Sequence, residues 1–314
     1  MISVRGFKVE AAFGCVPRRV VSNMDVCSAL AGREKASALV KTTGFAERRV
    51  AKDGETVENY MMSAARAAMD GLEKDGIGAV VAVTFSAPRR FPAVSVRIAA
   101  ELGLPRSIAA FDVSMACSGY PYGLLAAAQL AVAMRRKVLL LDGDVQSAFV
   151  DTSDVNTVAV MGDAATATIV APCESAAGAC FDFLSDGFRG DALMCGAQGP
   201  VKMDGFGVFR FVAADVSAFL KDFLAAVGEA PGFFVPHAAN MYMVRQLAAS
   251  LGLEDRLVSS GIRYANTGSC SIPLALASVP VAGRALLAGF GAGLSAAAAL
   301  VDMPPDLRRG VVEI

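Results

Sequence analysis

The 314-residue chain has no tryptophan and a single histidine, His237. So few imidazoles exclude histidine-rich metal sites, and any chemistry that needs a neutral imidazole near pH 7 must use this one residue. The seven cysteines, at 15, 27, 117, 173, 180, 195 and 270, are odd in number and hold no CxxC pair, which argues for reduced thiols over a disulfide framework. With no clustered Cys or His ligands, no metal is expected. Charge is scarce and mixed. The balance of 29 Lys and Arg against 30 Asp and Glu gives a formal net charge of -1, and no basic stripe points to nucleic acid. Also missing is an unbroken apolar run long enough to span a membrane, although 54% of the residues are hydrophobic. The most apolar stretch, residues 285 to 301, is interrupted by Gly289, Gly291 and Gly293 and reads as two buried strands joined by a turn. The opening MISVRGFKVEAAFG has neither a continuous apolar segment nor a small-residue cleavage site, so the expected compartment is the cytosol.

What the chain does have is an alternation of apolar, β-rich runs with Ala-rich helical runs, the pattern of an α/β domain with buried strands. Strands are expected at 79–85, 110–114, 138–141, 165–170, 233–235 and 284–288. Residues 55–72 read as a helix with a capping start between Thr56 and Asn59, and 118–135 as a second helix. Residues 185–187 and 196–207 are rich in turn formers and read as loops. Spacing reveals a loose internal repeat. Cys117 follows Phe85 by 32 residues and Asn266 follows His237 by 29, and the similar stretches VLLLDGD and ALLAGFG come next. Cys117, His237 and Asn266 are thereby expected at strand ends or in the turns after them, where open α/β sheets bind ligands.

Each of these residues has two readings. In VSMACSGYPYGLL a β-branched run gives way through Ser118 and Gly119 to a helical pattern. A cysteine at the first turn of that helix would feel the positive end of the macrodipole and the free N–H groups there, which favour thiolate. Gly119 and Gly123 would leave its approach uncrowded. The alternative is a small buried hydrophobe, which is also how Cys270 reads. His237 follows the apolar FFVP and is either a satisfied core residue or an acid–base group. Asn266, in YANTGSCSIPLALA, is either a turn residue or a hydrogen-bond donor to a ligand. The glycine-rich GFGAGL at 289–294 lacks the βαβ unit and acidic residue of a dinucleotide site. It is better read as a tight hairpin that brings backbone N–H groups to a substrate.

Together these stretches resemble the thiolase superfamily, and within it the β-ketoacyl-acyl-carrier-protein synthase III group. The matching motifs run in order: TTGFAERRVAKDGETV (42–57), FDVSMACSG (111–119), MGDAATATIV (161–170), VPHAAN (235–240) with YANTGSCSIPLAL (264–276), and GFGAGL (289–294). The resemblance covers nearly the whole chain. It implies an α/β, thiolase-like fold of two pseudo-equivalent βαβαβαββ halves packed as five layers (αβαβα). Residues 1–171 would carry the cysteine and 172–314 the histidine and asparagine. It further implies that Cys117 attacks an acyl thioester, with the oxyanion held by the backbone N–H groups of Cys117 and Ala292. His237 and Asn266 would donate hydrogen bonds to a malonyl thioester oxygen during decarboxylation, before Claisen condensation. Phe91, Asn240, Phe290 and Gly291 would contact substrate. Phe91 would do so by reaching into a partner subunit, which implies a homodimer or a heterodimer with a paralogue. The other implied partner is acyl carrier protein. No cofactor is implied, acyl-CoA or acyl-ACP and malonyl-ACP being the substrates.

The chain departs from the group at informative places. In chain-initiating members that use acyl-CoA a tryptophan stacks on the adenine, and here the matching residue is Ala38. Arginines beside the nucleotide match Thr42 and Val155, and a basic position used in carrier docking matches Tyr242. Loss of a stacker and of phosphate-binding charge removes contacts with CoA. The expectation is a specialised fatty acid or polyketide synthase whose acyl group arrives on a carrier protein or an unusual thioester. Two other readings stay open: a non-decarboxylating acyltransferase of the same fold, and an inactive partner subunit of a heteromeric synthase.

Overall fold

The structure is a computed structural model of the 314-residue chain, describing residues 1–196 and 199–314. In chain order the strands are β1 (Ile2–Val4), β2 (Phe7–Val16), β3 (Val20–Ser22), β4 (Glu47–Arg49), β5 (Ile77–Val83), β6 (Ala109–Val113), β7 (Lys137–Asp144), β8 (Ala164–Pro172), β9 (Ala179–Ser185), β10 (Leu193–Met194), β11 (Lys202–Met203), β12 (Phe233–Pro236), β13 (Gly283–Gly291), β14 (Ser295–Met303) and β15 (Arg308–Glu313). The helices are α1 (Asn23–Ala31), α2 (Arg33–Thr43), α3 (Val57–Ala68), α4 (Val94–Glu101), α5 (Gly119–Met134), α6 (Val155–Val158), α7 (Gly205–Arg210), α8 (Ser217–Val227), α9 (Met241–Leu251), α10 (Gly261–Tyr264) and α11 (Ser271–Ser278). Among the described residues, no helix is long and apolar enough to cross a membrane.

Two sheets carry the architecture. One has six strands in the order β15-β2-β8-β7-β5-β6 and the other five, β1-β9-β14-β13-β12. The chain ends are exchanged between them: β1 pairs with β9 of the second sheet, and β15 runs parallel to β2 of the first. Between the sheets lie α5 and α11, each packed against strands of both. Helix α3 covers the outer face of the first sheet, and α8 and α9 flank the second. The layers are those of the thiolase fold, αβαβα.

The residue types explain the layering. Strand β5, IGAVVAV, is buried along its whole length because helices cover both faces of its sheet, so its sequence is continuous rather than alternating. Helix α5 is apolar on all sides because both sheets press on it. Its glycines serve that contact. A Cβ at Gly119 would sit 2.4 Å from Val83 Cγ1, and one at Gly123 would sit 2.6 Å from Val83 Cγ2. Gly119 and Gly123 therefore allow close packing of helix on sheet, rather than keeping the approach to Cys117 open as expected. At the surface, α3 is amphipathic, and the Thr56 N–H donates to Asn59 Oδ1 at 2.8 Å where its capping start is expected.

The six segments expected as strands coincide with β5, β6, β7, β8, β12 and β13, although β7 and β13 run three residues further, to Asp144 and Gly291. The apolar stretch from 285 forms the β13–β14 hairpin, closing at the Gly291–Ser295 pair. Residues 196–207, expected as loop, contain β11, which pairs with β10, and the start of α7. Residues 197 and 198 of that stretch lie outside the described residues. Short two-residue pairings such as β10–β11 carry too few side chains for alternation to show.

Candidate active site

Cys117 sits in a one-turn 3-10 element, Ala116–Ser118, between β6 and α5. Ala116 immediately before it has φ of 41°, a left-handed conformation that costs a non-glycine residue free energy and is held here by the surrounding packing. The facing hairpin presses on the same turn. A Cβ at Gly291 would lie 2.8 Å from Cys117 Cβ and 3.2 Å from its sulfur, and one at Gly289 would lie 2.8 Å from Ser118 Cα. The backbone N–H groups of Ala292 and of Cys117 itself favour its thiolate. Burial, with the Asp144 carboxylate behind, outweighs them and pushes the thiol up to about 12. The pKa depression expected from the start of α5 is therefore not seen. Cys117 lies in the turn before the helix, half-buried at the cavity wall, where the balance favours the thiol.

His237 follows β12 and is buried, with its ring edge against Phe290 at a centroid distance of 5.5 Å. Its Nδ1 is 2.9 Å from Gly268 O and 3.0 Å from Ser271 Oγ. Ser271 Oγ also donates to Gly268 O, at 2.8 Å. A carbonyl can only accept, so the Nδ1 proton is assigned to the contact with Gly268, and Nε2 of the neutral ring carries a lone pair. Burial lowers the ring's pKa to about 4, partly offset by the Gly268 carbonyl.

Asn266 is fixed on three sides. Its N–H donates to Val160 O at 3.1 Å, its Oδ1 accepts from the Gly268 N–H at 2.9 Å, and one Nδ2 hydrogen reaches Ala239 O at 3.3 Å. Its carbonyl accepts from Gly162 N–H at 2.8 Å and from Gln146 Nε2 at 2.7 Å. The other Nδ2 hydrogen makes no bond within the protein among the described residues.

These elements surround one cavity of about 500 Å³, lined by Cys117, His237, Asn266, Phe290, Gly291 and Ala292, with largely apolar walls that include Phe85, Phe149, Met161 and Met243. Asn240 also lines it, while its Oδ1 caps α9 by accepting from Met243 N–H at 2.8 Å. Phe91 does not join them: its side chain is 84% exposed outside the cavity. Among the described residues no group of His, Cys, Asp and Glu is arranged to hold a metal ion. Ala38 and Thr42 stand exposed on α2, but Val155 is buried against Cys27, Ala36 and Ala159, away from any surface where an arginine could flank a nucleotide. Tyr242 is half-exposed and stacks on Phe209.

Several residues here carried no local signal in the sequence. Gln146 donates from Nε2 to both Gly162 O, at 2.9 Å, and Asn266 O. Asp144, on β7, accepts at Oδ1 from Thr84 Oγ1 at 2.7 Å and from the N–H groups of Phe85 and Ser86, while Oδ2 has no partner. Burial raises its pKa to about 6. Asp142, two residues earlier, is bonded to Ser269 and pushed well above the usual carboxylate range by burial. Two aspartates inside the apolar run VLLLDGD were the available clue, since buried carboxylates in a strand demand partners.

Comparison with known proteins identifies the family. The family model described as 3-oxoacyl-[acyl-carrier-protein (ACP)] synthase III matches residues 111–187, and its C-terminal counterpart matches residues 229–303. The β-ketoacyl-[acyl-carrier-protein] synthase III of Roseiflexus sp. (strain RS-1) is 32% identical over 91% of this chain and 95% of its own. Among solved structures, the 3-oxoacyl-(acyl-carrier protein) synthase of Burkholderia xenovorans LB400 aligns with a TM-score of 0.95 at 27% identity, covering 100% of this chain and 98% of the other. The priming β-ketosynthase of the R1128 polyketide biosynthetic pathway aligns at 0.88 and 30% identity, covering 97% and 98%.

Proposed function

The chain belongs to the 3-oxoacyl-[acyl-carrier-protein] synthase III family of condensing enzymes, and we propose that Cys117, His237 and Asn266 carry its reaction, with the Cys117 and Ala292 N–H groups as the oxyanion hole. The observation that supports this most directly is that Cys117, His237, Asn266 and Ala292 line one cavity. In the first half-reaction Sγ attacks the acyl carbonyl and the two N–H groups stabilise the oxyanion. The C–S bond to the donor breaks, and the thiol proton leaves with the donor thiol.

In the second half-reaction the malonyl thioester oxygen accepts from Asn266 Nδ2 and His237 Nε2. Because the Nδ1 proton is committed to Gly268, Nε2 donates only when the ring holds a second proton. The malonyl carboxylate supplies the negative charge that draws this proton from solvent. As CO2 leaves, that charge passes to the enolate and remains beside the imidazolium. The enolate carbon attacks the acyl-Cys117 carbonyl, the bond to Sγ breaks, and the thiolate recovers a proton from His237. One solvent proton is consumed per turnover, replacing the carboxylate lost as CO2.

We assign the acyl donor to a carrier protein rather than CoA. The absence of an aromatic or cationic side chain at the exposed positions Ala38 and Thr42 supports this, since such groups would stack on the adenine and pair with the phosphates of a nucleotide. The exposed Phe91 ring supports a dimer in which it enters the neighbouring acyl pocket. Intact-protein mass spectrometry of wild type and Cys117→Ala, with one acyl group presented on CoA and on carrier protein, tests the reading. An adduct on wild type alone, and from the carrier alone, is expected. Equal labelling from CoA would refute the donor assignment, and an adduct on Cys117→Ala would refute the nucleophile.

A further inference from the structure

We propose that Ser118 and Ser295 are positioning residues of the oxyanion hole, their side chains forming one hydrogen-bonded tie that fixes the Ala292 N–H relative to the Cys117 N–H. The inference rests on Cys117 being the residue that is acylated. Ser118 directly follows Cys117, and Ser295 lies three residues beyond Ala292. The tie therefore joins the two segments that supply the two N–H groups, the turn before α5 and the β13–β14 hairpin.

Ser118 Oγ is 3.0 Å from Met115 O and 2.7 Å from Ser295 Oγ, and Ser295 Oγ is 2.7 Å from Ala292 O. Two hydroxyls bring two protons to three contacts. An oxygen pair at 2.7 Å must share a proton, so the chain runs in one direction only, toward Ala292 O or toward Met115 O. Met115 O already accepts the Ser118 N–H at 3.2 Å, so the direction that satisfies every carbonyl runs from Ser118 through Ser295 to Ala292 O. Both serines are buried, at 0% and 1% exposure, where water does not compete and aligned hydroxyls reinforce one another.

The hairpin needs such an anchor. Gly291 and Gly293 on either side of Ala292 have φ of 151° and 139°, conformations that only glycine adopts readily and whose backbone no side chain restrains. A hydroxyl bonded to Ala292 O restrains the peptide between Ala292 and Gly293, next to the peptide whose N–H must meet the oxyanion. Oxyanion stabilisation depends on donor placement within a few tenths of an ångström, so loosening the turn acts on the transition state more than on the resting thiol.

The test compares two reactions of Cys117 in Ser295→Ala, Ser118→Ala and the double variant. One reaction is acyl transfer from an acyl carrier protein thioester and the other is alkylation by iodoacetamide, which forms no oxyanion. Ser295→Ala is expected to slow acyl transfer about 10- to 30-fold, while alkylation changes less than about twofold. Ser295→Thr, which keeps the hydroxyl, is expected to restore acyl transfer. The double variant is expected to fall no further than Ser295→Ala, because the two hydroxyls act as one unit. Equal slowing of both reactions, or acyl transfer at the wild-type rate, would overturn the proposal, as would fully additive losses. Wild-type protein that alkylates at Cys117 but never acylates there would instead refute the nucleophile assignment, and this inference with it.

Discussion

Gly291→Ala is the substitution whose outcome the structure fixes most tightly. The new methyl would stand 2.8 Å from Cys117 Cβ and 3.2 Å from its sulfur, and φ of 151° at this position is outside the range an alanine adopts without strain. Backbone strain of this kind costs about 1–3 kcal/mol, and forcing a methyl into a packed wall costs about 1–3 kcal/mol more. Relief must come from moving either the Cys117 turn or the Ala292 peptide, which carry the two proposed oxyanion donors. A displaced donor is nearly a lost one, so acylation is expected to slow about 10²- to 10³-fold. The assay is the rate of adduct formation on Cys117 by mass spectrometry, alongside chemical denaturation. Gly187→Ala is the control, because nothing lies within 4 Å of its added methyl. A Gly291→Ala protein that acylates within threefold of wild type and loses under about 1 kcal/mol would refute the geometry assigned to the hairpin.

His237→Ala and Asn266→Ala are each expected to acylate Cys117 normally and to form ketide product about 10²- to 10³-fold more slowly; ketide at the wild-type rate from either would remove it from the mechanism. The two half-reactions should respond to pH in opposite senses. Acylation should accelerate as pH rises toward the thiol's value near 12, while condensation should slow, because it needs a second proton on a ring whose empty-site pKa is about 4; parallel profiles would contradict the proton assignment. Asp144→Asn keeps an oxygen for Thr84, Phe85 and Ser86 but removes a charge that opposes the Cys117 thiolate, so iodoacetamide should label Cys117 several-fold faster near pH 8; slower labelling would refute the electrostatic role. In the wild type, the stability due to neutral Asp144 is complete below about 4 and is lost as pH rises through about 6. The same variant should therefore unfold at higher denaturant concentration at pH 8, with an upper bound of about 3 kcal/mol, and an unchanged midpoint would show that Asp144 is not destabilising when charged.

The strands and the capping start at Thr56 were legible because they are local. Period, apolar runs and turn residues act over a few positions, so β5, β12 and the β13–β14 hairpin could be read from their own letters. That Cys117, His237 and Asn266 meet at one cavity was legible through spacing and motif, since each lies in or beside a turn after an apolar run. Other features follow from contacts across tens to hundreds of residues. The state of Cys117 is one. Sequence offered a helix start that favours thiolate, whereas burial and Asp144, both products of the packed sheets, push the group toward the thiol. The roles of Gly119 and Gly123 are another, set by Val83 on a strand some forty residues earlier. The tautomer of His237 depends on the Gly268 carbonyl, and the placement of Asn266 on Gln146; neither partner has a pattern of its own. The sequence by itself determined which side chains could react and which segments would be strands. The tertiary structure decided their protonation, orientation and company, because solvation and hydrogen bonding depend on neighbours in space rather than along the chain.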